Sequence, residues 1–318
     1  MEKYRVEKIL GAGKQGSVAL VSDLTTGKFY SMKKMENVSN RKDIESSNLE
    51  RLKDVCSPNI SCLKERIYDE STKTLYIVYD YIVGYNLEEN HIKSLDLEDY
   101  LWDLLDQMIH ALEILEKRKI AHRDVKSANI IYNPATKIFT LIDFGLSAYE
   151  DANKLVGSPM YISEEVVTAA FTNDDITMEM YQKSDLFAVG VSCFEIANLK
   201  PPFEERDDSP SGLNDFFKPE NWVSFLSHLS YSLIYIIDHI LTGKEKASTL
   251  RPTFERAKAK RNTPRHELVL RMDEVDETSL IRQAKDFQVV YRGLNKKDLY
   301  NRLFLMNLIP AKTKIRKT

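Results

Sequence analysis

The hydrophobic pattern changes period near Gly84, and this change limits the possible folds more than any other feature. Before it, apolar residues alternate in short runs bounded by turn residues. Tyr4–Leu10, Val18–Ser22 and Lys28–Met35 read as three strands, with Asp23–Gly27 as the turn between the second and third. Cys62–Asp69 and Thr74–Tyr81 read as two more. Arg41–Val55 carries helical spacing through Ile44, Leu49, Leu52 and Val55, and Ser57-Pro58-Asn59 stops it. After Gly84 the period becomes helical. Leu97–Lys117 sets Leu101, Leu104, Leu105, Met108, Leu112 and Leu115 at three- and four-residue steps. Asp185–Leu199, Trp222–Leu241 and Thr253–Lys260 are further helix candidates, while Thr172–Met180 and Glu204–Asn221 read as surface loops. A sheet-rich part, a short connector and a helix-rich part predict an α+β fold of two lobes with a cleft between them. Clefts of that kind are common ligand sites.

Composition narrows the class. Of 318 residues, 43% are hydrophobic, enough for a large core. No apolar run is long enough to span a membrane, and the opening MEKYRVEKIL holds no apolar signal segment. The expectation is a soluble protein of the cytoplasm or nucleus. The three cysteines, Cys56, Cys62 and Cys193, make no Cys-x-x-Cys pair and are odd in number, so neither a disulfide nor a zinc site is expected. Residues 254–318 carry 16 Lys and Arg against 8 Asp and Glu, although the whole chain has a net charge of −3. An acidic body with a basic tail fits either a partner or intramolecular docking. Lys312, Lys314, Arg316 and Lys317 lack the interleaved aromatics of a nucleic-acid surface, so a solvated end is the simpler reading.

Three stretches carry chemistry. Gly11-Ala12-Gly13-Lys14-Gln15-Gly16-Ser17-Val18 is a G-x-G-x-x-G-x-V loop following Leu10, in which missing Cβ atoms let backbone N–H groups approach phosphate oxygens. A Gly-rich hairpin turn would look the same. A dinucleotide-binding loop would need a helix after it, but Val18–Val21 reads as a strand. Lys33 lies in the third strand beside Met32 and Met35. A solvated lysine is the bland reading, and a phosphate-holding point charge the sharp one. His122-Arg123-Asp124-Val125-Lys126-Ser127-Ala128-Asn129 precedes a strand at Ile138–Ile142 and then Asp143-Phe144-Gly145. One aspartate can accept a hydroxyl proton, Asn129 and Asp143 are hard oxygen ligands suited to Mg²⁺, and Lys126 can offset charge on a transferring phosphoryl group.

These motifs, in this order, resemble the eukaryotic-type protein kinase family over about residues 4–262. The resemblance implies a small antiparallel sheet lobe with one helix (about 4–82), a larger mainly helical lobe (about 86–262), and ATP with Mg²⁺ as cofactors. It implies that Lys33 holds the nucleotide, Asp124 is the catalytic base, Lys126 assists it, and Asn129 and Asp143 are the metal ligands. Asp80 and Ile82 would contact adenine together with Leu10–Val18, and Tyr79 would guard the back of the pocket. Gly157–Glu165 matches the end of the activation segment, with Glu165 expected to pair with Arg251. Asp185–Gly190 matches the central buried helix, with Phe187 where Trp is usual. Lys126 and the Gly157-Ser158 step are similar to serine/threonine rather than tyrosine kinases. The implied function is transfer of the γ-phosphate of ATP to Ser or Thr of protein substrates; a kinase-like scaffold with little catalysis is the alternative.

The sequence departs from the family pattern in places. Ser31 replaces the usual Ala, and Glu164 replaces the Pro of Ala-Pro-Glu. The partner of Lys33 stays open between Glu45, which shares a face with Leu49 and Leu52, and Asn48, where the family spacing lands and which can hydrogen-bond but brings no charge. Glu150 and Asp151 are candidates to pair with Arg123. The extension 263–318, with its stripe of Leu299, Leu303 and Met306, is expected to be helical and docked on the body.

Overall fold

Asp23 closes the second hairpin of the chain chemically. Its carboxylate accepts from the backbone N–H groups of Thr25 and Thr26, each at 2.8 Å. That turn links two members of a five-stranded antiparallel sheet in this computed structural model, which describes residues 3–13, 16–37, 55–89, 97–149, 155–198, 226 and 229–261. The strands are β1 (Tyr4–Gly13), β2 (Gly16–Asp23), β3 (Phe29–Met35), β4 (Leu63–Asp69) and β5 (Thr74–Asp80). Their order is β1-β2-β3-β5-β4. The apolar run of β5 explains its central place, since it pairs with both β3 and β4 and is buried from Thr74 to Tyr79. Val21, Met32, Tyr76 and Val78 pack on one face with Tyr4, while Leu75, Ile77 and Tyr79 join the main core on the other.

The rest is mainly helical. After β6 (Tyr85–Asn86) come α1 (Leu97–Lys117), the hairpin β7 (Ile130–Asn133) and β8 (Ile138–Leu141), then α2 (Glu164–Thr172), α3 (Met178–Asn198), α4 (Tyr231–Leu241) and α5 (Ala247–Ala259). Helix α1 runs over the span its periodicity predicts and buries Leu101, Leu104, Leu105, Met108 and Leu112. Helix α3 is buried on nearly all sides, from Tyr181 to Ile196, so it shows little amphipathic period. It starts at Met178 rather than Asp185, because its first turns put polar Gln182 and Ser184 on the buried side and hide the apolar period. The nine-residue α2 was not expected; a helix that short leaves too few turns to show a period. Helix α5 starts at Ala247 and holds Pro252 inside it, where the pattern suggested a start at Thr253.

Two expectations are corrected. Cys56 and Cys62 form a disulfide, with Cα atoms 5.1 Å apart, and Cys193 is the odd, buried thiol. Counting cysteines could not foresee that the turn between them folds the chain back on itself. Arg251 does not pair with Glu165. It faces α1, where its guanidinium meets Asp106 at 2.6 Å and Glu113 at 3.0 Å, while Glu165 lies 3.6 Å from Lys183. Arg251 sits on α5, packed along α1, and the acidic stripe of α1 is its nearest counter-charge. The helix expected over Trp222–Leu241 begins only at Tyr231, because the extended backbone of Ser230 caps it and its hydroxyl accepts from Leu233 N–H. Of the helix candidate 41–55 only Val55 is described; Glu45 and Asn48, the loop 204–221, Glu150 and Asp151, and the extension 263–318 lie outside the described residues. Among the described residues, no helix is long and apolar enough to cross a membrane.

Candidate active site

The β1–β2 hairpin carries the glycine loop. Gly13 pairs with Gly16, Ala12 with Ser17 and Gly11 with Val18. Gly16 has φ +124°, and a Cβ there would meet the Lys34 carbonyl oxygen at 2.1 Å. Only glycine fits that close approach of two strands. Lys14 and Gln15, at the tip, lie outside the described residues. Beneath the hairpin lies a cavity of about 360 Å³ lined by Leu10, Gly11 and Val18 from above, and by Asn129, Ile131 and Ile142 from the β7–β8 side. Tyr79, Tyr81 and Ile82 line its inner edge, and Lys33 and Asp143 face each other within it. Asp80 is not part of this lining. Its carboxylate turns to Lys64 at 2.9 Å.

Strand pairing aims Lys33. It lies opposite Val18 on one side and Ile77 on the other, and is only 6% exposed. A buried ammonium needs a counter-charge. Its Nζ donates to Asp143 Oδ1 at 2.8 Å. Burial would raise the Asp143 carboxyl, but the Lys33 charge and its hydrogen bond outweigh that and hold it below the usual carboxylate range. Asp143 has left-handed backbone (φ +61°), and its side chain also accepts from Gly145 N–H.

The loop bearing Asp124 is pinned from below by α3. The Asp185 carboxylate accepts from the backbone N–H of His122 at 2.6 Å and of Arg123 at 2.7 Å. Burial pushes its carboxyl up to about 7, and the two N–H donors oppose that rise. Arg123 has φ +66°, a strained value for a non-glycine residue. The Asp185 bonds hold it there. Its Nε donates to the Leu146 carbonyl at 2.6 Å, tying the Asp124 loop to the segment after Gly145. His122 is fully buried, and burial lowers its pKa. As a neutral ring it donates from Nε2 to the Ile142 carbonyl at 3.0 Å and accepts from Asp124 N–H at Nδ1.

These supports leave Asp124 in a small polar constellation. Asn129 Nδ2 donates to the Asp124 carbonyl oxygen at 2.8 Å and to its Oδ2 at 3.1 Å. Lys126 Nζ lies 3.1 Å from the same carboxylate. Ser158 Oγ donates to Asp124 Oδ1 at 2.9 Å and accepts from Lys126 Nζ at 2.9 Å. The structure thus gathers Asp124, Lys126 and Asn129 at one point, and Lys33 with Asp143 at a second, in the cavity that Asn129 also lines. Ser158 was not singled out as a site residue, although its neighbourhood to Gly157 was the available signal. Gly157 approaches so closely that a Cβ would lie 2.3 Å from the Arg123 carbonyl oxygen. Ser61 also lines the cavity, with no sequence signal at all.

Comparison with known proteins points one way. The family model described as "Protein kinase domain" matches residues 4–261. Serine/threonine-protein kinase Nek1 of Mus musculus is 36% identical over 217 residues, covering 64% of this chain and 17% of that protein. Probable serine/threonine-protein kinase fhkC of Dictyostelium discoideum is 31% identical over 229 residues, 68% of this chain and 36% of that one. An Aurora kinase of Eremothecium gossypii is 30% identical over 222 residues, 64% of this chain and 55% of that one. The chain therefore spans little more than half, or less, of these relatives' own lengths. The crystal structure of Rad53 1-466 in complex with AMP-PNP shares the fold, with a TM-score of 0.61 at 20% identity, covering 77% of this chain and 63% of that one.

Proposed function

Because the chain belongs to the protein kinase domain family, we propose that it transfers the γ-phosphate of ATP to serine and threonine hydroxyls of other proteins. The observation that carries this reading is Asp124, whose carboxylate is met by Asn129, Lys126 and Ser158 near a cavity where Lys33 and Asp143 pair. Asp124 accepts the proton of the acceptor hydroxyl as its oxygen attacks phosphorus. Lys126 faces the oxygens of the moving phosphoryl group and offsets their charge. Lys33 holds the α- and β-phosphates, the Gly11–Gly16 hairpin covers them, and the apolar side chains of Leu10, Val18, Ile131 and Ile142 enclose the base.

Asn129 and Asp143 fit Mg²⁺. Both offer hard oxygen donors, the Asp143 carboxyl is held ionised, and Asn129 directs its amide nitrogen at Asp124, leaving the amide oxygen for a cation. Bound there, Mg²⁺ supplies neutralisation of phosphate charge. Lys126 beside Ser158 supports serine and threonine over tyrosine as acceptors. The test is transfer of labelled γ-phosphate from Mg-ATP to Ser, Thr and Tyr peptides, with Asp124→Asn as control. Turnover on Ser and Thr peptides is expected, with a loss of about 10²–10⁴-fold in the mutant at near-normal nucleotide affinity. Turnover of the mutant at the wild-type rate refutes the assignment.

A further inference from the structure

The segment from Cys56 to Cys62 connects the two halves of the cavity but takes no part in the chemistry above. Ser57 and Ile60 bridge, with Ile60 N–H donating to the Ser57 carbonyl at 3.0 Å, and the fold-back leaves the Cα atoms of Cys56 and Cys62 5.1 Å apart. That separation is inside the range a disulfide needs. The residues within the ring act as a strut onto β8. The Pro58 carbonyl accepts from Thr140 Oγ1 at 2.7 Å, and the Asn59 side chain donates to the Phe139 carbonyl at 2.9 Å. Leu141 N–H donates to the Asn59 carbonyl at 3.0 Å, and Ser61 N–H donates to the Leu141 carbonyl at 2.9 Å. Strand β8 ends two residues before Asp143. On the other side, the Cys62 carbonyl accepts from Asp80 N–H at 3.0 Å, at the end of β5, and Ser61 lines the cavity.

We propose that Cys56 and Cys62 are a reversible oxidative modification site, a dithiol–disulfide latch that sets how firmly this strut holds β8 and the wall of the cavity. The effect on nucleotide rests on the reading of that cavity as the ATP site. Exposure orders the chemistry. Cys56 is exposed, Cys62 is partly covered, and Cys193 is buried in α3, where burial pushes its thiol pKa up and keeps it inert. The co-reactant is a small-molecule disulfide such as oxidised glutathione. The Cys56 thiolate attacks one sulfur of it, forming a mixed disulfide and releasing one glutathione thiolate. The Cys62 thiolate then attacks the Cys56 sulfur and expels the second. Two protein thiols lose two protons and two electrons, and the glutathione disulfide bond is reduced to two thiols.

The full chain, equilibrated at glutathione ratios from reducing to oxidising and then labelled in denaturant, tests this with a maleimide mass tag that counts every free thiol, Cys193 included. Melting temperature and the affinity of a non-hydrolysable ATP analogue are read on the same samples. Two thiols should become protected together, leaving one. Closing so small a ring should raise the melting temperature by about 4–8 °C. If release of the strut leaves the binding-competent wall populated about a third of the time, the closed form binds the analogue about threefold tighter. Neither Cys56→Ser nor Cys62→Ser should show the oxidative rise in melting temperature or affinity, whether or not the remaining thiol carries glutathione. Three reactive thiols at the most oxidising ratio overturn the proposal, and so does closure that moves neither melting nor affinity. If no analogue binds in either state while protection and the melting shift remain, the latch stands and the nucleotide reading falls.

Discussion

Replacing Ser158 with alanine removes one oxygen atom and two hydrogen bonds to charged groups. Oγ donates to Asp124 Oδ1 and accepts from Lys126 Nζ, each at 2.9 Å. The backbone at Ser158, φ −85° and ψ 120°, suits alanine and threonine equally, so the change is confined to the side chain. A hydrogen bond to a charged group contributes about 1.5–3 kcal/mol. Lys126 still reaches Asp124 Oδ2 at 3.1 Å, and so does Asn129, so the loss amounts to one such bond rather than two. At about 1.4 kcal/mol per tenfold change in rate, kcat should fall by about 10- to 100-fold. KM for ATP should hardly move, because Ser158 does not line the cavity proposed for the nucleotide. Ser158→Thr keeps the hydroxyl and should recover most of the rate. Initial rates over a matrix of ATP and acceptor-peptide concentrations separate the two constants. A Ser158→Ala enzyme with kcat within about twofold of wild type, or one that loses ATP affinity instead, refutes the reasoning.

Other consequences follow from the same geometry. Gly16→Ala places a Cβ against the Lys34 carbonyl at a backbone angle that disfavours side chains, and should cost about 1–3 kcal/mol in the urea midpoint; an unchanged midpoint means the hairpin is spaced differently. Arg251→Met and Glu113→Gln should show a coupling of about 1 kcal/mol in a double-mutant cycle, while Arg251→Met with Glu165→Gln should be additive; the reverse pattern would restore the pairing expected from the sequence. Burial would raise the Asp106 carboxyl, but Lys258 and Arg251 reverse this and hold it below its unfolded value of 3.8. Its contribution to stability is therefore present above that value and lost as pH falls through the lower folded one. Asp106→Asn should melt lower than wild type at neutral pH, with the gap closing as pH falls below 3.8; a gap that persists in acid means that lost packing, not charge, is responsible.

The sequence gives a good view of elements whose pattern depends on one exposed and one buried face. Helix α1 and strands β3 and β4 fall within a residue or so of their expected bounds because solvent meets one side of each, while β5, buried from Thr74 to Tyr79, is legible instead as a continuous apolar run. Helix α3 misleads at its start, since the first turns bury polar Gln182 and Ser184 and the rest of the helix is buried on nearly all sides, so neither part shows an apolar period. The structure brings together Lys33, Asp124, Lys126, Asn129 and Asp143, the candidates that the motifs name, and the motifs could name them because their spacing is local. Ion pairs between distant helices were not. Arg251 had several acidic residues to choose from, and only the packing of α5 along α1 brings Asp106 and Glu113 to it rather than Glu165. The Cys56–Cys62 bond escaped for the same reason, because the fold-back of a turn, not the number of thiols, decides it.

What the motifs leave out is the layer behind them. Asp185 holds the backbone of His122 and Arg123, and Asn59 holds that of Phe139 and Leu141. Gln107 on α1 reaches across to the same hairpin, accepting from Phe139 N–H at 2.9 Å and donating to the Lys137 carbonyl at 3.0 Å. None of these three side chains faces the cavity. Each satisfies backbone groups that would otherwise be buried without partners, and so fixes the segments on which Asp124 and Asp143 are mounted. Backbone held at both ends can sustain strained angles such as those of Arg123 and Asp143, and those angles aim the carboxylates. A substitution in this rear layer should then displace two or more catalytic groups at once, whereas one in the front row removes a single function. That asymmetry is the physical reason why residues without chemistry of their own can be as restricting as those that line the cavity.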